Sequence, residues 1–216
     1  HWDDTLVMYL SDNGIAFPGA KTNLYDPGIR LPLVVRNPFQ ERHGHACHAM
    51  VSFADITPTL LEFAQVTVPG GVTFNGRSFL NILHEETPAG WDEIYASHSF
   101  HEVQMYYPMR AVRERRWKLI WNIAHPLTFP SASDLYASKT WQAVLRARAS
   151  HFGPRSVAAY LQRPAWELYD LDNDADEIHN HAADPRCAGE LSRLQHKLRT
   201  FMASTNDPWI SKWTYE

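Results

Sequence analysis

The feature that most constrains the fold is an apolar run near the start of the chain that ends abruptly at a turn. Residues 5–10 read Thr-Leu-Val-Met-Tyr-Leu, and Ser11-Asp12-Asn13-Gly14 follow directly. An unbroken run of this length predicts a buried strand of the kind found in parallel sheets that are covered on both faces. Because ligands collect beyond the carboxyl ends of such strands, Asp12 and Asn13 are expected to lie at a binding site.

The rest of the pattern predicts an α/β first half and a small α+β second half with an antiparallel sheet. Predicted strands cover residues 31–36, 94–98, 109–113, 117–121 and 166–170, and predicted helices cover residues 52–64, 140–149, 155–163 and 189–202. The pattern changes near Tyr106–Pro108. We therefore predict two domains, residues 1–107 and residues 108–216.

Composition excludes several classes of protein. The 216 residues suffice for one large domain or two small ones with a real core. The net charge of -4, with scattered positive charges, argues against a nucleic-acid-binding surface. No apolar stretch approaches the ~18 residues of a membrane-spanning helix. Cys47 and Cys187 form no CxxC pair, so two free thiols and one disulfide both remain open.

The polar start of the chain, His1-Trp2-Asp3-Asp4, lacks the layout of a signal peptide, and a predicted strand follows almost at once. We therefore expect the chain to begin in mid-fold.

Three residues in the first loop have the chemistry of a site for an anionic ligand and a cation. Asp12 and Asn13 offer two hard oxygen ligands, which suit Ca²⁺ or Mg²⁺ better than Zn²⁺. Lys21 follows in a loop otherwise poor in charge, where its ammonium group can bind an anion as a point charge. Taken singly, Asp12 and Asn13 fit an ordinary Asn-Gly turn better, and Lys21 fits a solvated loop lysine better.

Several ordered segments closely resemble the sulfatase family. They are Ser11-Asp12-Asn13-Gly14, the stretch from Lys21 through Leu24-Tyr25 and Arg30 to Leu33, Asp55-Ile56-Thr57-Pro58-Thr59-Leu60, Gly76-Arg77-Ser78, and Trp166-Glu167-Leu168-Tyr169-Asp170-Leu171. Three further segments resemble the sulfamidase branch of that family, which acts on N-sulfoglucosamine. They are Asp12-Asn13-Gly14-Ile15-Ala16-Phe17-Pro18 with Thr22-Asn23-Leu24-Tyr25, His101-Glu102-Val103 with Tyr107-Pro108-Met109-Arg110, and Asn206-Asp207-Pro208-Trp209.

The resemblance implies an alkaline-phosphatase-like fold, of which this chain is the C-terminal part of the large sheet domain followed by the small domain. It implies that Asp12 and Asn13 complete a Ca²⁺ site with acidic ligands from upstream, and that Lys21 contacts the sulfate as a catalytic and substrate-binding residue. The sulfamidase branch carries arginine at the position of Lys21, so the charge is kept and the bidentate geometry is lost.

His101 and Glu102 follow a predicted strand. We expect His101 or Glu102 to contact the substrate sugar. An equally favoured alternative is that the two form a hydrogen-bonded pair that holds the loop against the second domain.

The nucleophile of the family is a formylglycine made from the cysteine of a C-x-P-S-R motif, and neither Cys47 nor Cys187 stands in one. The resemblance therefore implies an upstream nucleophile, an intact parent that hydrolyses sulfate from a sulfated sugar or glycosaminoglycan, and an inactive chain on its own. A homodimer is possible for such a parent.

Two alternatives remain. One is a non-catalytic homologue that binds a glycan or partner chain. The other is a related phosphatase or phosphodiesterase with two Zn²⁺ ions, which an Asp-His pair in place of Asp12-Asn13 would favour.

Overall fold

A computed structural model describes residues 1–103 and 105–215 of the chain. The strands are β1 Val7–Leu10, β2 Leu33–Arg36, β3 Glu93–His101, β4 Met105–Glu114, β5 Trp117–Asn122, β6 His151–Phe152, β7 Arg155–Ser156 and β8 Trp166–Asp170. The α-helices are α1 Asp26–Ile29, α2 Ile56–Phe63, α3 Ser133–Ala137, α4 Lys139–Arg146, α5 Val157–Leu161, α6 Ala188–Ser204 and α7 Lys212–Tyr215. Short 3₁₀ helices lie at Trp2–Asp4, Phe53–Asp55, Leu80–Ile82, Pro185–Cys187 and Pro208–Ser211.

The chain forms two compact units. The first unit comprises His1–Leu10 and Pro32–Ile94, and the second comprises Ser11–Leu31 and the chain from Tyr95 onward. The loop that carries Asp12, Asn13 and Lys21 therefore packs with the second unit. The predicted division into domains 1–107 and 108–216 stays a prediction.

The first unit contains a two-stranded sheet in which β1 and β2 run antiparallel, with Val7 opposite Arg36 and Leu10 opposite Leu33. The expectation of a parallel strand buried on both faces was wrong for the described residues, because Tyr9 and Val34 are 72% and 63% exposed. An apolar run indicates an extended segment, but it carries no information on the direction of the partner strand.

The predicted helix 52–64 consists of the 3₁₀ helix Phe53–Asp55 followed by α2, and Ser52 caps the 3₁₀ helix. The hydroxyl of Ser52 accepts a hydrogen bond from the backbone N–H of Ala54, and the Asp55 carboxylate accepts one from the backbone N–H of Ser52. This reciprocal cap satisfies backbone donors that the first turn leaves free. Pro58 lies in the first turn of α2, where its missing N–H costs nothing.

The second unit is built on a four-stranded antiparallel sheet in the order β3-β4-β5-β8. Along β5, Ile120 packs into one core while Leu119 and Trp121 pack into another. This alternation follows from the period of two in a strand and gives the sheet two buried faces. The first face is covered by Trp141 of α4 and Tyr160 of α5, and the second by α6.

The predicted hairpin 109–113/117–121, the strand 166–170 and the helix 189–202 are confirmed by β4, β5, β8 and α6. The predicted helix 155–163 was wrong at its start, because Arg155–Ser156 pairs with His151–Phe152 before α5 begins.

Both Cys47 and Cys187 are free thiols. None of the helices in the described part of the chain combines the length and apolar character needed to cross a membrane.

Candidate functional site

The loop Ser11–Leu31 is anchored to the second unit through its middle. The Asn23 side-chain oxygen accepts a hydrogen bond from Arg163 at 2.6 Å, and the Tyr25 hydroxyl donates one to Glu167 at 2.8 Å. The Arg155 guanidinium lies over the Tyr25 ring, 3.8 Å from its centroid. Burial, as the largest cause, raises the pKa of Tyr25 well above its usual range, so its hydroxyl keeps the proton that it donates.

Asp26, the next anchor, joins a buried cluster of two cations and two anions. Its carboxylate lies 2.5 Å from Lys118 Nζ and 2.9 Å from Arg113 Nη2, and its backbone N–H donates to Glu177 at 2.6 Å. Lys118 Nζ also lies 2.6 Å from the Glu177 carboxylate, and neither side chain of that pair is exposed. The charges balance, which is the condition under which such groups tolerate burial.

The pKa values of the two carboxylates in this cluster, Asp26 and Glu177, are shifted in opposite directions. Burial raises the pKa of Asp26, but hydrogen bonds and charges from Arg113 and Lys118 outweigh it and lower the pKa to about 2. Burial raises the pKa of Glu177, and Lys118 offsets this only in part. Asp26 is therefore ionised at neutral pH and helps to hold α1 against the sheet.

Two glycines let the loop fold back on itself. A Cβ atom at Gly28 would lie 2.3 Å from the Asn23 carbonyl oxygen and 2.4 Å from that of Ala20. A Cβ atom at Gly14 would lie 2.4 Å from the Pro27 carbonyl oxygen. Only glycine permits these backbone approaches, so this compact form of the loop requires glycine at both positions.

Lys21 reaches the first turn of α3. Its Nζ lies 2.5 Å from the Asp134 carboxylate, and its side chain is 19% exposed. The bond to Lys21 lowers the pKa of Asp134, and the charge of His101 acts in the same direction. An ammonium group has three N–H donors, and Asp134 takes one of them. Lys21 is thus oriented by a carboxylate and keeps donors for an anion.

His101 and Glu102 meet the same turn of α3. The Glu102 carboxylate accepts a hydrogen bond from the Ser133 hydroxyl at 2.7 Å and lies 3.3 Å from the Ser133 backbone nitrogen. His101 Nε2 lies 3.6 Å from the same carboxylate. Glu102 adopts a left-handed backbone conformation with φ of 60°, which is unusual for a non-glycine residue and clusters at functional sites.

His98 adds a buried imidazole beside this cluster. Its Nδ1 lies 2.9 Å from the Tyr107 carbonyl oxygen, which can only accept, so Nδ1 carries the proton. Its Nε2 is buried and has no hydrogen-bond partner among residues 1–103 and 105–215. Burial lowers the pKa of His98, the Tyr107 carbonyl opposes this, and the charge of His101 reinforces it. His98 therefore presents an uncharged acceptor.

Asp12 and Asn13 stand apart from this cluster. Asp12 is exposed and Asn13 is half-buried, and the Ser11 hydroxyl shapes their turn by donating to the Asn13 carbonyl oxygen at 2.8 Å. Within the described residues, no hydrogen bond engages either side chain or joins it to Lys21. The structure thus brings together Lys21, His101 and Glu102, and leaves the oxygens of Asp12 and Asn13 free.

Sequence reasoning missed Ser133 and Asp134, which organise the cluster. Asp134 is separated from Lys21 by 113 positions, and no local pattern signals that contact. Chemistry alone could have indicated such a partner, because a partly buried lysine that binds an anion needs a carboxylate to orient it.

Solved structures of other proteins share the fold of this chain. A protein solved in complex with its substrate D-glucosamine-2-N,6-O-disulfate matches with a TM-score of 0.66 and 24% identity, over 95% of this chain and 36% of that one. That likeness establishes the fold. An N-acetylglucosamine-6-O-sulfatase of Bacteroides thetaiotaomicron is 32% identical over 95% of this chain and 32% of its own length.

The particular family follows from residues 20–137, which match the family described as N-sulphoglucosamine sulphohydrolase, C-terminal. That match covers more than half of the chain, and the chain belongs to this family. Human N-sulphoglucosamine sulphohydrolase is 39% identical over 220 residues, which is 96% of this chain and 43% of the human protein. The chain thus spans less than half the length of these curated relatives.

Proposed function

We propose that the intact protein hydrolyses sulfate from a sulfated sugar, with N-sulfoglucosamine as substrate, and that this chain forms the C-terminal side of its active site. The observation that carries the proposal is the convergence of Lys21, His101 and Glu102 on the first turn of α3. Family membership supports the reaction class, and the name of the human relative supports the N-sulfate.

Asp12 and Asn13 fit a Ca²⁺ site by the chemistry of their donors. Both offer oxygens that no hydrogen bond within the described residues engages, and carboxylate and amide oxygens are the ligands that Ca²⁺ takes. Since Ca²⁺ needs six or more oxygens, these two residues would form only part of the site. When bound, Ca²⁺ supplies Lewis-acid stabilisation, and a formylglycine from an upstream cysteine supplies the nucleophile.

The residues of this chain would bind and orient the substrate. The Lys21 ammonium group, held by Asp134, stabilises negative charge that develops on the sulfuryl oxygens. His101 donates a hydrogen bond to the sugar. Glu102 holds His101 beside the start of α3 and thereby fixes the distance between the sugar contact and the sulfate contact.

The test is release of inorganic sulfate by the intact protein, encoded with its upstream sequence, from N-sulfoglucosamine and from N-acetylglucosamine 6-sulfate in parallel. We expect release from the N-sulfated sugar. Release from the 6-sulfate alone would reject the N-sulfate and keep the sulfatase reaction. Release from neither, with binding of both sugars retained, would favour the non-catalytic glycan-binding alternative.

A further inference from the structure

Three side chains of different metal-binding type share one face of the connection between β8 and α6. His181, Asp184 and Cys187 are spaced three residues apart. The backbone N–H of Asp184 donates to the carbonyl of His181 at 3.0 Å, and that of Cys187 donates to the carbonyl of Asp184 at 2.9 Å. These two hydrogen bonds close two successive turns, of which the second is the 3₁₀ helix Pro185–Cys187 with Asp184 as its N-cap.

The ligand atoms of these residues are already gathered. An imidazole nitrogen, a carboxylate oxygen and the thiol sulfur all lie within 4.8 Å of one another, and all three residues are half-buried. Tetrahedral Zn²⁺, with bonds of about 2.0–2.3 Å, separates its ligand atoms by roughly 3.3–3.8 Å. Side-chain rotations that close the gaps by roughly 1 Å are therefore sufficient.

The backbone beneath the three residues is fixed at both ends. The backbone N–H of His181 donates to the carbonyl of Leu168 in β8 at 2.8 Å, and the His181 ring packs edge-on against Trp117. At the other end, Cys187 stands immediately before the first residue of α6. Ligands on such a scaffold lose little conformational freedom when they bind an ion.

We propose that His181, Asp184 and Cys187 form a Zn²⁺ site with a fourth position open to water. Imidazole nitrogen, carboxylate oxygen and thiolate sulfur are the three ligand types that Zn²⁺ takes in proteins. The thiolate and the carboxylate together carry two negative charges, which balance the charge of the ion. Coordination removes the thiol proton, so binding releases a proton and strengthens as the pH rises.

Arg186 would compete with a metal ion for the Asp184 carboxylate. Its guanidinium group donates to the Asp184 carboxylate, with Nη2 2.7 Å from Oδ2, while its side chain is 88% exposed. A side chain so exposed can swing into solvent when a divalent ion replaces it. Arg186 therefore acts as a competing cation, and its removal should tighten the binding of the metal.

The test is a titration of the chain with CoCl₂, which reports a thiolate ligand through an intense ligand-to-metal charge-transfer band, followed by displacement with ZnCl₂. We expect the band in the parent chain and in Cys47→Ser, which removes the other thiol. We expect Cys187→Ser to lack the band and His181→Ala to bind Co²⁺ at least about tenfold more weakly, a loss found even for outer-shell partners. Arg186→Gln should bind more tightly than the parent.

A metal site made only of oxygens, such as one at Asp12 and Asn13, gives no thiolate band, so the signal is specific to a cysteine ligand. Absence of the band in the parent chain would overturn the proposal whatever the variants do. A band that survives Cys187→Ser and disappears in Cys47→Ser would overturn it as well. Circular dichroism spectra of the variants that match the parent spectrum show that a lost band is not a lost fold.

Discussion

The contact between Lys21 and Asp134 illustrates how a single charged pair turns an ordinary loop residue into a candidate site residue. An exposed lysine gains little from an ion pair, because water screens it. Lys21 is mostly buried, so Asp134 limits its ammonium group to a few positions. Lysine binds sulfate oxygens as a point charge and lacks the planar fork of arginine. In the proposed site, its effect on catalysis would therefore depend on where Asp134 holds it.

If the proposed function holds, replacement of Lys21 by alanine should reduce kcat/KM of the intact protein for the sulfated sugar by about 10²–10³-fold, the loss typical of one removed charge-stabilising donor. Lys21→Arg keeps the charge and should retain most of the activity. Steady-state sulfate-release assays measure both variants. Lys139→Ala, at an exposed lysine of α4, is the matched control and should be unchanged. An unimpaired Lys21→Ala enzyme would exclude Lys21 from the site.

Among the helices and strands, the local sequence pattern predicted those whose formation depends on neighbouring residues. The run 166–170 is the strand β8, and the apolar stripe 189–202 is the helix α6. The local sequence pattern failed where contacts between residues distant in the sequence determine the structure. The turn Gly153-Pro154 joins two short strands, and the second of them, β7, takes the first two residues of the predicted helix 155–163. From the sequence alone, Lys118 would be expected at the surface. In the fold it is fully buried in β5, where it pairs with Asp26 and Glu177.

The same limit applied to the candidate site. The order of Ser11-Asp12-Asn13-Gly14 and Lys21 at a strand end, within a long run of sulfatase-like segments, singled out the loop. The long-range partner of Lys21 was not predictable, because Asp134 lies in a helix of only five residues with no signal of its own. Nor did any pattern reveal that Glu102 holds Ser133.

Asp26→Asn should destabilise the fold by about 3 kcal/mol at pH 7, because it leaves buried Lys118 without one of its two anions. The pKa of Asp26 is about 2 in the fold, against 3.8 for the free side chain. Because the pKa of Asp26 is lower in the fold than in the unfolded chain, the ionised carboxylate stabilises the fold at pH values above the unfolded pKa. This contribution is lost as the pH falls from about 4 towards 2.

The difference between Asp26→Asn and the parent should accordingly shrink over that pH range in denaturant titrations. Asp172→Asn, whose side chain is 66% exposed, serves as the control and should stay within about 0.5 kcal/mol of the parent. A difference that is independent of pH would show that the Asp26 carboxylate is not the stabilising group.

Two glycine substitutions should change stability in opposite directions. Gly28→Ala forces a Cβ atom against two backbone oxygens and should cost about 1–3 kcal/mol or more. Gly189→Ala lies in α6 with no atom within 4 Å of the new Cβ, and should stabilise the fold by about 0.5–1 kcal/mol. Thermal unfolding of both variants under one condition measures the contrast. Equal effects would contradict the close approach of backbone at Gly28.

At the scale of the whole molecule, apolar surface remains on the first unit. Tyr9 of β1 and Val34 of β2 pair directly across the two-stranded sheet and are both largely exposed. The opposite face, through Met8 and Val35, packs against the small core around Phe79. A sheet of two strands has two open edges, and an exposed apolar face beside open edges favours pairing with another chain.

We therefore predict that this chain, expressed on its own, self-associates at micromolar concentration through β1 and β2. Sedimentation velocity should show oligomers that dissociate on dilution. The double substitution Tyr9→Lys/Val34→Lys places like charges opposite each other on that face and should shift the population towards monomer. Tyr136→Lys, at an exposed tyrosine of α3, is the matched control and should leave the distribution unchanged. A monodisperse parent monomer at these concentrations would exclude the strand face as an association surface.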